Sequence, residues 1–194
     1  MDVQDNGVSL FCQQTQAIVA RIREGSVHRV KTKFIREKYG EVSHIFMTVY
    51  GWYKEVSAKI VPRPEGAESG IWAFADLKSL DRYADSAIME LRVPVEQAVF
   101  FRLSDWNQIL NLRYLPEDEA DSRGFAERIS RYGVPHESDI MLKSFYPQLK
   151  QEVLRSWGRL FRYDAMLRQG AIDFPDVQAG LWEVRPEWVE AWDL

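Results

Sequence analysis

The sequence predicts an α+β fold in one compact domain, a mostly antiparallel sheet with flanking helices, and three observations lead there. Segments such as Ala87–Val93 and Val177–Leu181 alternate with the period of two expected of strands. Segments such as His44–Ile60 and Pro147–Met166 instead space their apolar residues three and four apart, as an amphipathic helix does. No repeat or low-complexity linker separates them, and 194 residues with 46% hydrophobic content give core enough for a single domain over 1–194 to fold without staples.

Along the chain, Val8–Gln13 reads as the first strand, and Thr15 caps a helix through Arg23 that stops at Gly25. Residues 33–38 continue helical. His44–Ile60 is a stronger helix, with Ile45, Val49, Trp52, Tyr53 and Val56 on one stripe and Pro62 and Pro64 ending it. Residues 61–69 are rich in proline and glycine and form a loop. Ile71–Phe74 is a short buried strand, followed by a turn or helix opened by Asp76 and Ser79. Ala87–Val93 and Ala98–Leu103 are strands joined through Pro94, with Glu90 and Arg92 as an exposed pair on one face of the first. Asp105 caps a short helix over 106–112 that packs Ile109 and Leu110 inward. Residues 116–122 are acidic and exposed, 124–132 helical, and Pro147–Met166 a long late helix. The last strand follows Gly170. Val177, Ala179 and Leu181 alternate with Gln178, Gly180 and Trp182, and Pro186–Val189 adds a terminal helical turn. A tail built from Phe174 onward in this way is tied into the core, so whatever Gln178 and Glu183 face is held rigidly.

Composition excludes several function classes. One cysteine rules out an internal disulfide framework, and three histidines beside it make a structural zinc site improbable, so no metal is expected. Cys12 reads as a buried first-strand residue, because no histidine is placed to activate it. No stretch approaches about eighteen apolar residues, and the N-terminus lacks a signal-peptide pattern, so a soluble, cytoplasmic protein away from membranes is expected. Dinucleotide-fold glycine motifs, phosphate-binding loops, zincin helices and nucleophile elbows are absent.

The net charge is −4, yet residues 21–38 are basic, with Arg21, Arg23, His28, Arg29, Lys31, Lys33, Arg36 and Lys38. A solvated helix face explains such a run. A phosphate-binding patch for RNA, DNA or a dinucleotide, with Arg29, Lys31 and Lys33 as its nucleic-acid-binding residues, is the alternative. Aromatics make up 13% of the chain, and Trp72, Trp106, Trp157 and Trp182 read first as core.

Seven pieces in order carry a resemblance. They are Leu10-Phe11 with Gln14 and the helix to Gly25; Tyr50-Gly-Trp52; Ile71-Trp72-Ala73; Met89-Glu-Leu-Arg-Val-Pro94; Trp106-Asn-Gln-Ile-Leu-Asn111; Ser156-Trp157 with Leu160-Phe161; and Val177-Gln-Ala-Gly-Leu-Trp-Glu183. Together they resemble the bacterial family catalogued as domain of unknown function 3841 over nearly the whole chain. The family's Trp-His-x-x-Leu-Asn helix has Asn107 here in place of its histidine, so no role carries over to Asp105 or Asn107.

The outline is also similar to small bacterial ADP-ribosyltransferases of the toxin kind: a first strand feeding a helix, two strands joined by Val-Pro, and a last strand followed by Pro-Glu. That likeness implies NAD as co-substrate, a polar first-strand residue that grips it, aromatics that clamp nicotinamide, and a late acidic residue that stabilises oxocarbenium charge. On it Glu183 is the catalytic carboxylate, Gln13 or Gln14 the first-strand group, Tyr53 or Trp72 a stacking wall, and Gln178 a further cofactor-binding residue. The acceptor would be a nucleic acid or a protein, in a bacterial or phage conflict system. Glu183 on the solvent face of an edge strand, and Gln178 satisfying backbone, are the plain alternatives. The competing function is a binding module, an accessory factor or inhibitor that engages nucleic acid or protein through the basic segment.

Overall fold

A computed structural model describes residues 7–170 and 176–193. Phe174 and Pro175, which open the C-terminal stretch, lie outside the described residues, as do residues 1–6 and Leu194.

Strand β1 (Gly7–Thr15) runs into helix α1 (Gln16–Arg23), which packs Val19 and Ile22 inward. The chain turns at Gly25, whose φ of 91° lies in the left-handed region that glycine adopts without a Cβ penalty. Thr15 sits at the N-cap position but makes no side-chain capping bond. Helices α2 (Thr32–Tyr39) and α3 (Ser43–Ser57) follow, then the proline-rich loop and β2 (Ile71–Phe74). Asp76 accepts a bond from the Lys78 N–H and caps a short 3-10 turn. β3 (Ser86–Pro94) and β4 (Ala98–Arg102) are joined by another such turn.

Three elements differ from the sequence reading. Helix α4 (Leu103–Leu110) starts before Asp105, which lies inside its first turn. Its free N–H groups are met from a distance: Asp176 accepts from Leu103 N–H through its carbonyl and from Ser104 N–H through its carboxylate. Helix α5 (Glu119–Arg131) takes up part of the acidic run, because Asp118 caps it by accepting from Asp121 N–H and acidic residues suit a helix N-terminus. After a short α6 (Asp139–Leu142), the long late helix is broken. Helix α7 (Pro147–Trp157) passes through a 3-10 turn at Gly158–Phe161 into α8 (Arg162–Arg168), and the weak helical preference of glycine marks the break. β5 (Val177–Leu181), a 3-10 turn at Pro186–Trp188 and β6 (Val189–Ala191) complete the fold.

The strands form one six-stranded sheet in the order β4-β5-β2-β1-β3-β6, and every neighbouring pair is antiparallel. The chain is thus one α+β domain with a core on each side of the sheet. On the first face Leu10, Cys12, Ile71, Ala73, Met89, Leu91 and Ala179 meet α1, Tyr163 of α8 and Trp188. On the second, Phe101 meets Val49 and Tyr53 of α3, Trp106 and Ile109 of α4, and Trp157 of α7. The helices on this second face cover only part of the sheet. Strand β5 is buried throughout, whereas Ser9, Phe11 and Gln13 of β1, Glu90 and Arg92 of β3, and Phe74 of β2 are half-buried.

Candidate functional site

The half-covered face owes its shape to strand pairing. β1 is registered with β3 over nine pairs, from Gly7↔Pro94 to Thr15↔Ser86, but with β2 at Phe11↔Phe74 alone. β2 in turn pairs with β5 from Ile71↔Leu181 to Phe74↔Gln178. Cross-strand partners share a face, so Phe101, Gln178, Phe74, Phe11 and Glu90 form one row across five strands. Phe101 and Gln178 lie under the helices, and Phe74, Phe11 and Glu90 emerge beside them. Beyond the Phe11↔Phe74 pair no further β1–β2 register is made among the described residues. The sheet parts there, with one registered pair holding β1 to β2.

The side chains around this parting are polar and aromatic. Gln178 is 3% exposed, and its Oε1 is buried without a hydrogen-bond partner. Gln13 shares the face of Phe11; its Nε2 donates to Ser86 Oγ at 2.7 Å, and it lines an open pocket of about 250 Å³ with Gln16, Arg82, Tyr83 and Asp193. Gln14 points to the opposite face, beside Cys12, with Nε2 and Sγ 3.5 Å apart. Of the two first-strand glutamines, Gln13 is therefore the one on this face. Ser9 Oγ donates to Glu90 Oε1 at 2.8 Å, which fixes a carboxylate on the same face.

Glu183 is elsewhere and differently occupied. It lies two residues past β5, 3% exposed, between two guanidinium groups. Arg29 reaches Oε2 from Nε at 2.7 Å and Nη2 at 2.6 Å, and Arg185 Nε reaches Oε1 at 2.6 Å. Both oxygens are taken by arginines rather than by Gln13 or Gln14, and the antiparallel bridge His28↔Val184 ties the same two segments through their backbones. The solvent-face alternative for Glu183 does not hold, because Glu183 is buried, as is the neighbouring Trp182, whose indole N–H donates to Val61 O at 2.9 Å.

The pieces that carry the sequence resemblance therefore sit at structurally central places: β1 with α1, α3, β2, β3, α4, α7 with its 3-10 turn, and β5 with its exit. A match to one protein family runs over residues 9–190, nearly the whole described chain. The chain belongs to the family described as Domain of unknown function (DUF3841). No curated protein and no solved structure matches it.

The remaining expected residues of this DUF3841 domain divide between core and surface. Tyr53 is 2% exposed and surrounded by Trp72, Phe101, Trp106, Phe161 and Trp182, so its ring is core and offers no free face for stacking. Trp72 is half-buried; it packs 4.7 Å from Trp106 and borders the parting of β1 and β2. Of the basic residues, Arg29 is committed to Glu183 and Lys31 pairs with Glu68 at 3.4 Å, whereas Lys33 is exposed with its ammonium over the Phe34 ring. Burial and the nearby Arg21 charge push the His28 imidazole down to about 4, and its Nε2 has no partner. Burial pushes the Cys12 thiol up to about 11, which keeps it protonated and inert, as expected of a core cysteine. No group of histidine, cysteine, aspartate or glutamate suited to a metal occurs among the described residues, and no described helix is long and apolar enough to cross a membrane. Phe11, Phe74, Ser9 and Glu90 were not anticipated as site residues. Period-two alternation does place Phe11 with Gln13, but only the extent of the helical layer distinguishes them from core.

Proposed function

We propose that this domain binds NAD where β1 parts from β2 and transfers its ADP-ribose to a nucleic acid or protein acceptor, as part of a bacterial or phage conflict system. One observation carries the reading: a polar first-strand residue, Gln13, and a polar last-strand residue, Gln178, lie on one face of the sheet on either side of β2, with Phe11 and Phe74 between them. The residues suit the molecule. The half-buried phenyl rings of Phe11 and Phe74 offer apolar surface to a flat heterocycle, and Gln178, buried under the helices beside Phe74, closes that end of the row. Gln13, Phe11 and Phe74 would hold it, and NAD would supply an activated ribosyl group. The wall expected of Tyr53 passes on this reading to the two phenylalanines.

The test is a thermal melt of the purified chain with millimolar NAD, followed by incubation with labelled NAD and cell lysate and then by nuclease or protease digestion. The reading expects a raised melting temperature, label in one digestible class of acceptor, and loss of both in Phe11→Ala/Phe74→Ala. No shift and no label refute it.

A second reading rests on α2, where Lys33, Arg36 and Lys38 are exposed around an exposed Phe34. A nucleic-acid-binding module would use this surface, and Lys33→Ala/Arg36→Ala/Lys38→Ala would weaken binding and flatten its salt dependence.

A further inference from the structure

We infer that Glu90 is the catalytic carboxylate of this site, an inference that rests on the NAD reading above. ADP-ribosyl transfer needs a carboxylate within reach of the ribose, on the face where the dinucleotide lies. Glu183 does not meet that need: both of its oxygens are held by arginines, and it sits 3% exposed in a joint between two chain segments. Glu90 meets it in three respects. It is half-buried on the face that carries Gln13, directly across from Phe11. Ser9 Oγ holds Oε1 at 2.8 Å, which orients the carboxylate against the strand. The register with β6 slips at this position, with Glu90 opposite Ala191 but Leu91 opposite Val189. Such irregularities twist a strand and re-aim its side chains, and they gather near active sites. The site has length as well: from Ser9 to Gln13 the strand rises about 14 Å, the scale of an extended dinucleotide.

In the transfer, the bond from ribose C1′ to the nicotinamide nitrogen breaks and its electron pair goes to that nitrogen, which loses its positive charge. Glu90 stabilises the positive charge that develops at C1′ and the ring oxygen. The acceptor's nucleophile forms the new bond to C1′, and its proton passes to Glu90 and from there to water. NAD and acceptor become nicotinamide, ADP-ribosylated acceptor and one proton, and Glu90 is regenerated. Ser9 acts as a positioning residue.

The experiment compares wild type, Glu90→Gln, Glu90→Asp and Ser9→Ala in two measurements, the NAD-induced rise in melting temperature and the rate of nicotinamide release from NAD. We expect Glu90→Gln to keep the thermal shift and to lose activity by about 10²-fold or more, the usual scale for removing one electrostatic stabiliser of a transition state. Glu90→Asp keeps the charge and falls between, and Ser9→Ala lowers the rate about threefold to tenfold without moving the shift. Release by Glu90→Gln within threefold of wild type, with the shift intact, overturns the assignment and leaves NAD binding standing. Absence of any shift or release in wild type overturns the NAD reading itself.

Discussion

Removing Arg29 should cost more than neutralising Glu183, although both break the same contact. Arg29→Ala strips Oε2 of two charge-assisted bonds and leaves a carboxylate 3% exposed with Arg185 alone on its other oxygen. Stranding a buried charge costs about 3–5 kcal/mol, and because Arg185 stays the lower end applies, about 3 kcal/mol. Glu183→Gln strands nothing inside: the two guanidinium groups are 35% and 42% exposed and turn to water. The loss is then of charge-assisted bonds between groups that solvate well, about 1.5 kcal/mol. At about 2–4 °C per kcal/mol for a chain of this size, the melting temperature falls by about 6–12 °C in Arg29→Ala and 3–6 °C in Glu183→Gln. The double variant should cost little more than Glu183→Gln, because the arginine no longer has a charge to neutralise. Urea unfolding followed by circular dichroism at neutral pH, run as a double-mutant cycle, reads all three. Additive effects, or an Arg29→Ala cost no larger than that of Glu183→Gln, would refute the joint as drawn.

Two further outcomes are expected. A Cβ at Gly180 overlaps the Tyr53 hydroxyl and comes within 2.7 Å of its Cζ, and that ring is packed on all sides, so Gly180→Ala should destabilise by about 3 kcal/mol. Tyr53→Phe in the same chain should recover part of the loss in a thermal melt; no recovery would place the strain elsewhere. The His28 imidazole, held near 4 against about 6.5 in the unfolded chain, binds its proton more readily when unfolded. Its contribution to stability is therefore fully present above pH 6.5 and is lost as pH falls toward 4, with a slope of at most about 1.4 kcal/mol per pH unit. Urea midpoints from pH 4.5 to 7.5 should fall less steeply in His28→Gln than in wild type, and equal slopes would remove His28 from the pH response.

The fold was legible wherever burial is one-sided or a punctuating residue is strong. Leu10 and Cys12 alternate with Phe11 and Gln13 because one face of β1 is sealed, and Gly25 stops α1 because its φ suits no other residue as well. Helix α4 was placed late because its N–H groups are met by Asp176, more than seventy residues on, and no local pattern reports a remote cap. β6 is three residues long and half-exposed, too short for periodicity to register. The candidate site was legible in its residue types and not in its grouping. Gln13 or Gln14 and Gln178 entered as what the likeness to ADP-ribosyltransferases implies, and which acid lies nearest them depends on the order of strands in the sheet. That order puts β3 beside β1 and carries the exit of β5 away to Arg29.

Glu183 and Gln178 are two buried polar groups that the fold treats differently. Both are 3% exposed, both come from the last central strand or its exit, and both cost free energy to bury. Glu183 is compensated in full within the fold, each oxygen meeting a guanidinium. Gln178 leaves an amide oxygen unpaired, a deficit of about 1–3 kcal/mol that an apolar residue at the same position would avoid. That oxygen lies one strand away from the Phe11↔Phe74 pair, the single point of register between β1 and β2. A buried polar group without a partner in its own chain is met by water, an ion or a ligand, or is carried as strain. Both groups are thus enclosed by the fold, and on the proposed reading the work falls to the half-buried row of Phe11, Phe74, Gln13 and Glu90 beside them.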